Sequence, residues 1–191
     1  MCLAYPLALG GTLHDRLEAS PPRRVESLAP LTCGASAPLP WQTRCRILSE
    51  TLQALTYLHG YDGPHVLHLD VKPSNILIDE HCHVLLAATG TATRRSTHPS
   101  EEQAYIDPLM RESRPHTMHD GYAFGVVTLA TLVGCLEGMT LSVLCHRLRV
   151  NQNECNLVVA PDAKAGEWPA ALSARLVRVA SLLIAKEVCS L

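Results

Sequence analysis

The sequence predicts a mostly helical α+β domain with a few short β-strands. Apolar residues recur at helical spacing across residues 39–60 and again across 170–188. A charge-free run from Gly121 to Leu136 has the composition of a helix buried within a core. Between these lie two short apolar runs, Ile76–Ile78 and His83–Ala87, placed to pair as a hairpin through a turn at Asp79-Glu80.

The elements follow in chain order. Residues 2–8 read as a short apolar strand that turns at Gly10-Gly11, and Thr12 is placed to cap a short helix ending at Leu17. Residues 19–40 are rich in Pro, Ser, Ala and Gly without a period, and are expected to form a mobile surface loop. In the helix that follows, Ile47 or Leu48, Leu52, Leu55 and Leu58 form the apolar stripe. Arg44, Arg46 and Glu50 take polar positions, and Gly60 is the C′ residue. Asp120 is expected to cap the charge-free helix. Leu141–Val150 reads as another helix, Asn151–Pro169 as a loop, and Ala170–Val188 as a last helix through Leu172, Leu176, Val179 and Leu183.

Length and composition limit what such a domain can be. A chain of 191 residues has room for one sizeable core. A net charge of −2 gives no electrostatic reason to expect nucleic acid or a membrane surface as partner. The eight cysteines contain no CxxC spacing and fit free thiols, and His81-Cys82-His83 lacks further ligands at usable spacing for zinc. No secretory signal or membrane-spanning segment is visible, so a cytoplasmic location is expected.

The chemistry concentrates in Val66–Asp79, VLHLDVKPSNILID. Asp70, Lys72 and Asn75 stand at positions zero, two and five of a loop stiffened by Pro73 and gripped by apolar flanks. Phosphoryl transfer asks a protein for a carboxylate to take the nucleophile's proton, a cation for the phosphate charge and an oxygen ligand for magnesium. These three side chains match those roles.

HLDVKPSNILID resembles the catalytic loop of eukaryotic protein kinases, and Lys72 is the mark of the serine/threonine type. CLAYPLALGGTLHDRL and LPWQTRCRILSETLQALTYLHG are similar to the hinge and following helix of the Pelle, interleukin-1-receptor-associated and plant receptor-like kinases. DGYAFGVVTLATLVG resembles the central helix of the same group. The resemblance implies a kinase carboxy-terminal lobe in which Asp70 is the base, Lys72 the γ-phosphate cation and Asn75 a magnesium ligand. Leu7 and Ala8 would offer backbone hydrogen bonds to adenine, Tyr5 would gate the pocket behind it, and Leu77 would lie beneath the ring. ATP and Mg2+ are the implied cofactors, and a protein substrate or signalling partner the implied macromolecule. Asp120 would brace the catalytic loop from below.

The sequence also departs from the family. Ala88-Thr89-Gly90 stands where Asp-Phe-Gly is expected, so a methyl group replaces a magnesium ligand. Leu69 replaces the arginine before the catalytic acid, and Leu109 the glutamate that pairs with a distant arginine. No glycine-rich loop or Val-Ala-Ile-Lys strand occurs, so residues 1–191 are expected to form one partial kinase domain without its amino-terminal lobe. Three readings remain open. The chain is a catalytically impaired partial kinase, a pseudokinase serving as an interaction module, or an active enzyme in which Asp79 or Asp107 replaces the missing ligand.

Overall fold

The computed structural model describes residues 8–18, 38–61, 66–87, 102–111, 114–150 and 159–185. Leu7, the strand expected before Ala8 and most of the loop expected at 19–40 lie outside them. So do Ala88-Thr89-Gly90 and the Ser/Thr/Arg-rich stretch that follows.

The first helix, α1 (Leu13–Glu18), starts as its sequence predicts. Thr12 Oγ1 accepts from the Asp15 amide at 3.1 Å, and Asp15 Oδ2 accepts from the Thr12 amide at 3.0 Å. This reciprocal pair satisfies two amides that the helix itself leaves unbonded. Gly10 and Gly11 then bond Ile78 in the two-stranded sheet, the Gly10 amide donating to the Ile78 carbonyl at 2.8 Å. A Cβ at Gly10 would lie 2.7 Å from the carbonyl oxygens of Ile78 and Asp79, so only glycine fits this approach.

Helix α2 (Trp41–His59) stops at the expected glycine, but Gly60 is the C-cap and not C′, with φ of −94° and its amide returning to the Thr56 carbonyl at 2.9 Å. Ile47, Leu48 and Leu55 are buried, but Leu52 is 48% exposed and leaves the expected stripe. Arg44 corrects the sequence reading more sharply. Expected at a polar position, it is 1% exposed. Its guanidinium donates to the Leu39 carbonyl at 2.9 Å, the Thr131 carbonyl at 2.8 Å and Asp162 Oδ2 at 2.6 Å. The charge is inside because three oxygens, one from just before the helix and two from far along the chain, converge on its planar fork.

Strands β1 (Ile76–Ile78) and β2 (Val84–Leu86) pair antiparallel, with Leu77 opposite Leu85. Asp79 Oδ1 closes the turn by accepting from the amides of His81 and His83 at 2.8 and 2.7 Å. Glu50 of α2 clasps the hairpin, accepting from the Val84 amide at 2.7 Å.

Helix α3 (Thr117–Val133) runs through the middle of the molecule and is buried on nearly every side. Its cap is His116, whose Nδ1 accepts from the Met118 amide at 3.2 Å, and not Asp120, which lies in the first turn. Helix α4 (Gly138–Val150) begins three residues before the expected Leu141, and α5 (Ala170–Ala185) packs along α3. Phe124 and Val127 of α3 join one core with Leu13, Ile47, Leu55, Ile76 and Ile78. Val126 and Leu129 join a second with Leu141, Leu148 and Ile184. Each large aliphatic side chain so buried contributes about 1.5–3 kcal/mol. Among the described residues no single helix is long and apolar enough to cross a membrane. The apolarity of α3 is that of a core helix.

Cys145 of α4 is buried beside Tyr122, and burial pushes its thiol up from 9.0 to about 11, against weaker lowering by Tyr122 and Arg149. An unfolded chain releases this proton first. The contribution to stability is therefore complete below pH 9 and is lost as pH climbs through about 11. Urea midpoints should fall between about pH 8 and about pH 11, and the Cys145→Ala variant should show a smaller fall.

Candidate functional site

The loop between α2 and β1 brings Asp70, Lys72 and Asn75 together. Pro73 opens a single 3-10 turn, Pro73–Asn75, which folds Asn75 back toward Asp70. Asn75 Nδ2 donates to the Asp70 carbonyl at 2.7 Å and to Asp70 Oδ2 at 2.8 Å. Lys72 Nζ lies 3.1 Å from Asp70 Oδ1. The Asp70 carboxylate is about one-third exposed, so it is held in orientation and still open to an incoming hydroxyl.

Beneath these side chains the loop is fixed by buried groups. The His68 amide donates to Asp120 Oδ2 at 2.9 Å and the Leu69 amide to Asp120 Oδ1 at 2.6 Å. His59, at the end of α2, reaches the same carboxylate through Nε2 at 2.8 Å. Asp120 is wholly buried and accepts from all three. The brace expected from the sequence is therefore present, although the residue is not the helix cap. His68 works in the opposite direction. Its Nδ1 accepts from the Asp70 amide at 3.2 Å, which leaves Nε2 to donate to the Ala87 carbonyl at 2.8 Å. That ring ties the catalytic loop to the end of β2.

Leu69 adopts a left-handed backbone with φ of 57°. For a residue with a Cβ this costs on the order of 1 kcal/mol, offset here by the charge-assisted bond from its amide to Asp120. Nothing in the local sequence announces this conformation, because Leu is not a residue that favours it. His59 was also missed as part of the site. Its signal was the Leu58-His59 pair closing the helix, but its partner lies 61 residues away.

The remaining expected residues are placed less completely. The Ala8 carbonyl accepts from the Gly11 amide at 3.4 Å within the turn that leads to α1. Leu77 is half-buried, bridged to Thr12 across the ladder. The segment that follows Ala8 and the strand bearing Leu77 are thus neighbours, bonded directly through Gly10, Gly11 and Ile78. Leu7 falls outside the described residues.

Magnesium is not matched by the donor set. Asn75 offers an amide oxygen, but position 88 offers only a methyl. Among the described residues no three His, Cys, Asp or Glu side chains are arranged to hold a metal ion. Nor are the two candidate substitutes well placed. Asp79 lies four residues beyond Asn75 along an extended strand, a separation of roughly 13 Å, and its Oδ1 is committed to the turn. Asp107 is 4% exposed and bonds His119 Nδ1 at 3.0 Å, the Leu109 amide at 3.0 Å and Arg149 at 3.5 Å.

Comparison with known proteins agrees with this geometry. Residues 2–157 match the protein kinase domain family. A U-box domain-containing protein of Arabidopsis thaliana is 31% identical over 190 residues, which is 93% of this chain and 20% of that protein. An LRR receptor-like serine/threonine-protein kinase of the same plant is 39% identical over 129 residues, 63% of this chain and 13% of the relative. The human receptor-interacting serine/threonine-protein kinase 4 is 38% identical over 110 residues, 51% of this chain and 13% of its own length. The chain thus spans a fifth or less of the length of these relatives. Proteins of the family generally use ATP and Mg2+ and act on protein substrates. With its catalytic loop, hairpin and central helix in place, the chain belongs to the protein kinase family and carries a kinase domain of the eukaryotic serine/threonine type.

Proposed function

We propose that this chain is a catalytically impaired serine/threonine-kinase-like domain of the Pelle-like and receptor-like signalling group. The observation that carries the impairment is Ala88, a methyl where the family places a magnesium-binding carboxylate. Asp70, Lys72 and Asn75 keep the arrangement that phosphoryl transfer uses, yet the metal that bridges the phosphates lacks a principal ligand. The group assignment is supported by the hinge-like and helix-like motifs around Tyr5 and Trp41.

Titration calorimetry of the folded chain with Mg-ATP tests this reading. Weak or absent binding is expected, and phosphate transfer to a serine/threonine protein substrate should be no different in Asp70→Asn. A transfer rate that falls with that substitution would overturn the impairment, because it would show Asp70 at work.

A second reading, a pseudokinase that serves as an interaction module, is favoured by the pattern of substitution. Leu69 and Leu109 replace groups of functional use, while Asp120, His68 and the buried framework that shapes the loop are kept. An active enzyme with Asp79 or Asp107 as metal ligand draws no support from where those carboxylates point.

A further inference from the structure

His119, in the first turn of α3, is buried between two oxygens. Its Nδ1 lies 3.0 Å from Asp107 Oδ2, and its Nε2 lies 3.2 Å from the Arg114 carbonyl. A carbonyl oxygen only accepts, so Nε2 must carry a proton to bond it. On its other oxygen the Asp107 carboxylate accepts from the Leu109 amide at 3.0 Å and faces the Arg149 guanidinium at 3.5 Å. A donor and a cation there suit an ionised carboxylate, so Nδ1 must donate as well. A neutral imidazole has one N–H, and this ring uses two. The arrangement is complete only when His119 is an imidazolium.

We propose that His119 is a proton-dependent clasp that ties the turn Pro108–Arg111 and the Arg114 backbone to α3, closed as the imidazolium and opened when the second proton leaves. Once that proton passes to water, one ring nitrogen turns a lone pair toward an oxygen, and one of the two bonds is lost. Burial and the amino-terminal end of α3 oppose a charged ring, while the carboxylate beside it favours one, so neither state is locked in. The neighbouring groups stay out of the exchange. Burial pushes the Tyr122 hydroxyl of α3 and the Cys145 thiol of α4 up, so both keep their protons. Arg149 of α4 keeps its charge throughout. From α5 it is the Ile184 carbonyl, which does not titrate, that reaches this guanidinium. On α3 itself, Asp120 faces the catalytic loop, and His116 Nδ1 is taken by the Met118 amide. The clasp uses neither Asp70 nor Asn75, so it stands whether or not the domain transfers phosphate.

The test is the ring-nitrogen NMR spectrum of His119 in the whole chain, titrated from about pH 5 to about pH 8, where histidine can change charge. Two protonated ring nitrogens are expected at the acid end and one at the alkaline end. Amide protection at Leu109 and Met110, both bonded to Asp107, is read over the same range and corrected for the intrinsic exchange rate. It should fall at least about tenfold as pH rises. In His119→Gln the side chain does not titrate, so protection at these two residues should not follow pH. A ring with one N–H at every pH overturns the proposal, and so do two ring protons that persist across the range. Protection that stays level in the wild-type chain, or falls equally in His119→Gln, also overturns it. The ring spectrum needs only the wild-type chain, so the idea stays open to test if the variant fails to fold.

Discussion

Asp120→Ala should lower folding stability by about 3–5 kcal/mol, the range for removing one partner of a buried charged network. The carboxylate is fully buried and takes three donors, the amides of His68 and Leu69 and the ring of His59. Without it, two backbone amides lose their acceptor in a place water does not readily reach, at about 1–3 kcal/mol each. Leu69 also loses the bond that offsets its left-handed backbone. Urea unfolding gives the total, and amide hydrogen exchange should show the largest local loss of protection at residues 66–72. Asp120→Asn should lie between, since an amide retains one acceptor oxygen but turns a donor toward other donors. A loss below about 1 kcal/mol in Asp120→Ala would mean that the loop holds its shape by packing alone.

The second large effect belongs to Asp162→Ala. Arg44 is 1% exposed, and among the described residues Asp162 supplies the only carboxylate that its guanidinium bonds. Removing that acid leaves a guanidinium inside the protein against two carbonyls, at a cost of about 3–5 kcal/mol. The substitution also removes the oxygen that accepts from the Lys164 amide at 2.9 Å and starts the turn Ala163–Ala165. Replacing both partners, as Arg44→Met with Asp162→Leu, should recover only part of the loss. The charge problem disappears, but the carbonyls of Leu39 and Thr131 still need a donor. A double variant no more stable than Asp162→Ala would show that the carbonyls, and not the unbalanced charge, set the cost. Thermal unfolding of the two variants beside the wild-type chain separates these terms.

How much of this was legible beforehand depended on whether a residue's role was local. The Thr12 cap, the Gly60 stop and the hairpin turn at Asp79 are written within a few residues, and each appears where expected. The Asp70–Lys72–Asn75 arrangement was legible because one 3-10 turn is enough to form it. Arg44 was misplaced because nothing near it in sequence announces that Leu39, Thr131 and Asp162 will meet there. His116 took the capping role expected of Asp120 because the helix starts one turn earlier. Asp120 is then carried inside, to the underside of the catalytic loop. Leu52 was assigned to the core by spacing alone, but the buried side of α2 is narrower than the run of leucines suggests.

Arg149 ties together parts that the sequence keeps far apart. Its guanidinium lies 3.5 Å from Asp107 and 5.0 Å from the centre of the Tyr122 ring, and it donates to the Ile184 carbonyl at 3.1 Å. One side chain on α4 therefore touches α3, α5 and the turn that ends in Leu109, where the family's own glutamate is missing. A load placed on the outer side of α4 has a short, stiff route through this guanidinium to the Asp107 turn. The helix and the turn should shift as one piece.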